Sequence, residues 1–172
     1  MLGKFFRNVG DKMRNFGNAN IKIGKNSTVD NLTINGMKYT SSSGVIIKNN
    51  LVYIDGVVQD GISTENGIDI SIVGNVDSID VQACNEISVE GNVSSVTTNS
   101  GDVKIGGDVS GNVKATHGDV SCSNVSGDVG STQGSIDCGD VGRNASTTHG
   151  DIKCGNVSGN VNTVMGDVKI IK

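Results

Sequence analysis

The chain has 172 residues, contains no Pro and no Trp, and carries a formal net charge of −4. This length suits one domain with a small appended piece, and the mild acidity argues against a general nucleic-acid-binding protein, which would normally be basic. No apolar run of about 20 residues predicts a transmembrane helix, and no signal-peptide pattern is present, so the expected compartment is the cytoplasm.

Residues 1–19 form a separate basic segment. Four basic residues stand there against one acidic residue, whereas the rest of the chain has 10 basic and 17 acidic residues. Apolar residues recur near the helical period, at Leu2, Phe5, Phe6, Val9, Met13 and Phe16. The pattern predicts an amphipathic helix over residues 2–16, although Gly3 and Gly10 disfavour it. Three roles stay open: packing on the first coil, docking on a partner or second copy, and weak binding to an anionic membrane surface.

Residues 20–66 contain short alternating stretches separated by turn pairs. Asn35-Gly36 is a strong hairpin signal, because these residues tolerate the left-handed conformation of a two-residue turn. Asn49-Asn50 is a second such pair. The flanking strands are Leu32–Ile34 with Met37–Tyr39, and Val45–Lys48 with Leu51–Ile54. We predict a small antiparallel β cap, since the first coil of a repeat protein needs cover.

Residues 67–172 carry a repeat of 16 or 17 residues. The repeats start at Ile68, Asn85, Gly101, Gly118, Gly134, Gly150 and Gly166. This period is too short for a helical repeat, which needs about 33 residues, and suits one coil of a β-solenoid. The predicted fold is therefore an all-β, single-chain β-solenoid, preceded by the cap and by the N-terminal helix. Gly, at 25 of 172 residues, is concentrated at the coil corners.

Aligned repeats stack apolar side chains into columns. The first column is Ile70, Ile87, Val103, Val120, Ile136, Ile152 and Val168. The second is Ile72, Val89, Ile105, Cys122, Cys138, Cys154 and Ile170. Three further columns begin at Val76, Ile79 and Val81. A spacing of two puts paired columns on one face of a strand, so each coil should enclose a narrow aliphatic core.

The cysteines in the second column replace aliphatic residues and are expected to be buried hydrophobes. A straight column does not converge on one metal ion, as a zinc site requires. Distance would allow a disulfide between adjacent coils, whereas a reducing cytoplasm disfavours one. Cys84 is assigned instead to an outward corner column, which would make it a surface thiol. The other members of that column are Ser100, His117, Gln133, His149 and Met165.

The remaining polar residues do not form a catalytic set. His117 and His149 are two coils apart, too far for one metal ion. No glycine loop leads into a helix as a phosphate site would require. We expect no enzymatic activity, no metal and no cofactor.

An acidic column runs along the outward face of the repeats. Its members include Asp102, Asp119 and Asp151. Asp and Asn at corners commonly supply turn conformations and hydrogen bonds. Like charges stacked at this spacing cost stability, so a binding role towards a cation or a basic partner also stays open.

The Val-x-Gly-Asn-Val and Gly-Asp-Val rhythm of residues 68–170 resembles two groups of proteins. One is the bactofilins, bacterial polymer-forming cytoskeletal proteins with a β-solenoid of about this coil size and a short amphipathic N-terminal segment. The other comprises adhesin-like solenoid domains of bacteria and tailed phages. The bactofilin resemblance implies a right-handed solenoid that polymerises. The hairpin region departs from a typical bactofilin, in which short disordered tails flank the solenoid.

The sequence therefore predicts a non-enzymatic structural or interaction protein that assembles with itself. Nothing in the sequence predicts a cap after the last coil, which leaves Ile170 and Ile171 at an open end. Together with Phe5, Phe6 and Phe16, these are the expected contact residues. The alternative is a rigid acidic binding or inhibitory protein, encoded by a phage and acting on a host or defence protein, with Asp102, Asp119 and Asp151 as contacts.

Overall fold

The computed structural model of the chain describes residues 19–22, 29–40, 44–48, 51–59 and 67–171. The regular elements in these ranges are all β-strands, which confirms the all-β prediction. The helix predicted at residues 2–16, with Phe5, Phe6 and Phe16, lies outside the described residues.

Six strands form the cap. They are β1 (Ala19–Lys22), β2 (Val29–Ile34), β3 (Met37–Tyr39), β4 (Gly44–Lys48), β5 (Leu51–Ile54) and β6 (Val57–Gln59). The hairpin at Asn35-Gly36 is confirmed, since β2 pairs antiparallel with β3 and both turn residues have left-handed φ angles, 49° and 79°. The antiparallel pairing of β4 with β5 confirms the second hairpin, although Asn49-Asn50 themselves lie outside the described residues.

The cap has two features that were not predicted from the sequence. Asp55-Gly56 forms a further turn, with φ angles of 50° and 83°, and joins β5 to β6. Asp-Gly between apolar stretches is a hairpin signal that could have revealed it. Strand β1 was also missed; it pairs antiparallel with β4 and with the first coil.

The solenoid strands lie alternately in two sheets. Those of the nine-stranded sheet are β7 (Asp69–Gly74), β9 (Glu86–Val89), β11 (Asp102–Ile105), β13 (Val120–Cys122), β15 (Ile136–Cys138), β17 (Ile152–Cys154) and β19 (Val168–Ile170). Those of the ten-stranded sheet are β8 (Val76–Val81), β10 (Val93–Ser100), β12 (Val113–His117), β14 (Val129–Gln133), β16 (Ala145–His149) and β18 (Val161–Met165). These strands make about six coils.

Successive coils pair in parallel and in register, as the aligned repeats predict. Val103 lies opposite Val120, and Ile136 lies opposite Ile152. Between the two sheets, a third side of the coil is reduced to single-residue bridges. These bridges link Val93, Val109, Val125, Val141 and Val157.

The cap extends both solenoid sheets. β2 pairs antiparallel with β7 in the nine-stranded sheet, and β1 pairs antiparallel with β8 in the ten-stranded sheet. The first coil is therefore covered by strand pairing, as predicted. The sheets then end on β3 and β6, so the cap replaces the open edges of the first coil with edges of its own.

The core is a continuous set of aliphatic columns between the sheets. Ile87, Val103 and Ile152 are fully buried, because alternate residues of each strand face inward. Cys122, Cys138 and Cys154 are also buried, which confirms their assignment to the second column.

Glycine at the start of each repeat from Gly101 onwards reflects close packing of the backbone. Gly118 has φ 135°, and a Cβ there would lie 2.3 Å from the carbonyl oxygen of Gly101 in the preceding coil. Gly134 and Gly150 are equally crowded by the glycine of the coil before them. A side chain would require both a strained backbone and a shift of the neighbouring coil. The glycine column is thus a requirement of coil stacking.

Candidate interaction surfaces

The acidic column is a ladder of hydrogen bonds between coils. Asp102 accepts one from the backbone N–H of Asp119 at 3.0 Å. Asp119 accepts one from the N–H of Ser135 at 2.7 Å, and Asp151 accepts one from that of Asp167 at 2.8 Å. Each carboxylate thus satisfies a backbone donor at a corner of the next coil. This structural role accounts for the repeated Asp without any external partner.

Two corner ladders use the same chemistry. In the first, the side-chain oxygen of Asn92 accepts from the N–H of Asp108 at 2.8 Å, and that of Asn124 accepts from the N–H of Asp140 at 2.9 Å. The second ladder was missed in the sequence, although Asn and Asp recur there at the repeat period. It comprises Asn112, Asp128, Asn144 and Asn160. The Asn144 side chain and backbone donate to Asp128 and lower the pKa of that carboxyl.

Lysines interrupt the negative charge of the nine-stranded sheet. Lys104 forms an ion pair with Glu86, and Lys153 forms one with Asp137, both at 2.6 Å. The hydrogen bond to Glu86 raises the pKa of Lys104. Such exposed pairs add little stability. They do make this outward face a mixture of charges.

The assignment of Cys84 to an outward corner is wrong. Its backbone N–H donates to the carbonyl of Ser100 at 3.0 Å, just as the N–H of Gly101 donates to His117 at 2.9 Å. Cys84 therefore stacks on Gly101 and is only 5 % exposed. The first repeat contains one more residue than the second, which shifts the alignment at this corner. A Cβ at Gly101 would lie 2.4 Å from the Cys84 Sγ, so the missing side chain of the glycine leaves room for the thiol.

Most other residues of that corner column face solvent as predicted, whereas Ser100 is partly buried. His117 lies opposite Gln133, which lies opposite His149, and all three are exposed. His117 Nδ1 is 3.2 Å from the carbonyl oxygen of Asn99. Across the described ranges, no three His, Cys, Asp or Glu side chains are grouped to hold a metal ion.

A shallow groove of about 320 Å³ lies where the cap meets the first coils. Asp69 and Glu86 contribute its carboxylates, and Thr33, Ser71 and Ser88 its hydroxyls. Glu86 is already paired with Lys104, and the backbone N–H of Asp69 donates to Asn35 at 2.8 Å. Two of the residues that line the groove therefore already make polar contacts within the fold.

Exposed large apolar side chains mark the two ends of the rod. Of the residues that the structure describes, those in the cap are Met37, Ile46, Leu51, Val57 and Val58, and those at the far end are Val164, Met165, Val168, Ile170 and Ile171. None lies between residues 67 and 163. Ile170 and Ile171 thus stand where the sequence placed them, 41 % and 45 % exposed.

The far end also presents unpaired strand edges. β18 is the last strand of the ten-stranded sheet and β19 the last of the nine-stranded sheet. Val168 is 47 % exposed, whereas Ile152, one coil earlier in the same column, is fully buried. We call β18, β19 and Ile171 the open rim. The cap edges β3 and β6 also carry exposed side chains, among them Met37, Val57 and Val58.

Comparison with protein-family models, with curated proteins and with solved structures gives no match for this chain. In the described part of the chain, no helix is long and apolar enough to span a membrane.

Proposed function

We propose that this protein is a non-enzymatic structural protein that assembles with copies of itself through the ends of its solenoid. The observation that carries the proposal is the confinement of exposed large apolar side chains to the two ends of the described rod. Its sides carry polar residues, glycine and ion pairs. An exposed strand edge with apolar side chains is a template for pairing with another chain. The resemblance of the repeats to those of bactofilins supports the same function.

A second copy fits the open rim because each coil already packs on a coil like itself. The core column that ends at Val168 and the column that ends at Ile170 are continuous through the rod. A second copy that presents the same exposed residues would extend both columns. Full burial of a Val or Ile side chain contributes about 1.5–3 kcal/mol, and these side chains are already about half buried. Several such contacts, with new strand hydrogen bonds, would support a stable pair.

Tail-to-tail pairing is the arrangement we favour. β19 follows β18 along the chain, so the nine-stranded sheet ends half a coil beyond the ten-stranded sheet. A two-fold axis parallel to the strands sets β19 of the second copy against β18 of the first, and β18 of the second against β19 of the first. The interface is isologous and closed, as in most dimers.

Stacking of the cap on the open rim fits less well. The cap adds four strands to the ten-stranded sheet and two to the nine-stranded sheet. The strand edges at the cap end are therefore offset by two strands, which does not match the half-coil offset of the open rim. Contacts between cap ends, or through residues 2–16, would instead join tail-to-tail dimers into longer assemblies.

Light scattering of the purified full chain tests the proposal. We expect the wild type to be a dimer or larger at micromolar concentration, and the double variant I170K/I171K to form smaller particles because it loses tail-to-tail pairing. The double variant S121K/T132K adds the same charge at exposed positions on the side of the rod and should assemble like the wild type. A monomeric wild type would overturn self-assembly and favour the alternative of an acidic binding or inhibitory protein.

A further inference from the structure

Cys122 and Cys138 lie in contact inside the rod. β13 pairs with β15 so that the two residues are directly opposite, and their Sγ atoms are 2.8 Å apart. Cys154 takes the next position of the same column, on β17. All are free thiols. The proposed assembly makes no use of this buried pair.

We propose that Cys122 and Cys138 form an oxidative modification site, where a peroxide joins the two thiols in a disulfide between adjacent coils. Neighbouring strands are about 4.8 Å apart, which lies within the range of about 4.4–6.8 Å between the Cα atoms of bridged cysteines. The sulfur atoms would need to approach by less than about 1 Å to reach the bond length of a disulfide. The pairing of β13 with β15 therefore already brings the two sulfur atoms close to bonding distance.

The reaction balances with hydrogen peroxide as the oxidant. The thiolate of one cysteine attacks the O–O bond, which gives a sulfenic acid and hydroxide. The sulfur of the second cysteine then attacks the sulfenic sulfur. The S–S bond forms as the S–O bond breaks, and water leaves with the proton of the second thiol. In total, each thiol loses one hydrogen atom and the peroxide is reduced to two water molecules.

Because the two thiols are buried, we expect a small oxidant to reach them and the disulfide to form slowly. Cys122 is 9 % exposed and Cys138 is 6 % exposed. A disulfide reagent would have to place its own bulky group in this aliphatic column, whereas peroxide adds one oxygen atom. The contact with Cys122, together with burial, raises the pKa of the Cys138 thiol. The pair therefore stays as thiols under reducing conditions and oxidises faster as the pH rises.

The disulfide would tie one coil to the next in the middle of the rod. It would close a loop that spans a single repeat and so restrict the unfolded chain. We expect the midpoint of thermal unfolding to rise by about 5–10 °C after oxidation. Oxidation would thus stabilise the rod against unfolding without changing its outer surface.

Peptide mapping after peroxide treatment of the folded full chain tests the proposal. Remaining thiols are alkylated in denaturant before digestion. Trypsin cleaves after Lys114 and Arg143, and the peptide 115–143 contains Cys122 and Cys138 and no other cysteine. We expect this peptide to lack alkyl groups and to be lighter by two hydrogen atoms. Cys154, in the tryptic peptide 154–169, should be alkylated.

Two variants test whether Cys138 pairs with Cys122 or with Cys154. C154V should form the same disulfide, whereas C122V should form none and show no peroxide-dependent rise in its thermal midpoint. Both replacements suit an aliphatic column and should fold. Alkylation of both cysteines of peptide 115–143 after oxidation would overturn the proposal. So would a link between peptides 115–143 and 154–169, because it would show that Cys138 pairs with Cys154.

Discussion

The carboxylate of Asp119 accepts a hydrogen bond at 2.7 Å from the backbone N–H of Ser135, one coil further along the rod. The same oxygen-to-backbone contact joins Asp102 to Asp119 and Asp151 to Asp167. An acidic stripe that resembles a binding surface is therefore also a structural ladder. The two roles differ in what they require, since the ladder needs an oxygen acceptor and a binding surface needs charge.

Substitutions of Asp119 distinguish acceptor from charge. D119A leaves the N–H of Ser135 without its acceptor and should lower the free energy of unfolding by about 1 kcal/mol. D119N keeps the side-chain oxygen and removes a charge next to Asp102, so stability should be unchanged or slightly higher. Urea unfolding of the two variants and the wild type measures this. Equal destabilisation by both variants would show that the charge itself matters.

Gly118→Ala tests the requirement for glycine at coil corners. The new Cβ would meet the Gly101 carbonyl oxygen at 2.3 Å at a φ of 135°, and we expect a loss of about 3 kcal/mol or more. Gly106→Ala is the matched control, because its Cβ would have no neighbour nearer than 3.6 Å and its φ lies outside the left-handed region. Thermal unfolding should separate the two variants clearly. Similar midpoints would contradict the packing argument.

Cys84 should make the protein sensitive to alkaline pH. Burial, with the nearby carboxylates of Asp69, Asp102 and Glu86, raises the pKa of Cys84 from 9.0 to about 12. The contribution of the protonated Cys84 thiol to stability is complete below pH 9 and is lost as the pH rises towards 12. The reason is that the thiol in the unfolded chain loses its proton at a lower pH than the thiol in the folded protein. One such group gives a slope of at most about 1.4 kcal/mol per pH unit.

The pH dependence of urea unfolding checks this. We expect the free energy of unfolding to fall less steeply above about pH 9 for C84A than for the wild type. The absolute stability of C84A is not the readout, since removing the thiol also changes packing. Identical slopes for the two proteins would mean that Cys84 is accessible and titrates normally in the folded state.

The N-terminal segment should be dispensable for folding and required for larger assemblies. Strand β1 begins at Ala19, so deletion of residues 1–18 leaves every described strand intact. We expect the strand signal in circular dichroism and the thermal midpoint to stay nearly unchanged, while light scattering shows smaller particles. A large fall in the midpoint would instead place Phe5, Phe6 and Phe16 in the main core.

The sequence by itself determined the architecture of the rod. A strict repeat forces equivalent residues into columns, because each coil pairs with the next in register. Ile70, Ile87 and Val103 could therefore be assigned to the core without coordinates. The Asn35-Gly36 turn could also be predicted from the sequence, since these two residues by themselves allow the conformation that the turn requires.

The tertiary structure decided the features that depend on neighbours in other coils. The extra residue of the first repeat moved Cys84 from a presumed corner to a buried site over Gly101, a shift that a sequence alignment does not reveal. The pairing of β1 with both β4 and β8 likewise joins segments that are distant in the chain. The hydrogen bond from Ser135 to Asp119 showed that a charged column supports the backbone. A sequence specifies which residue types recur, whereas their roles depend on the distances between coils.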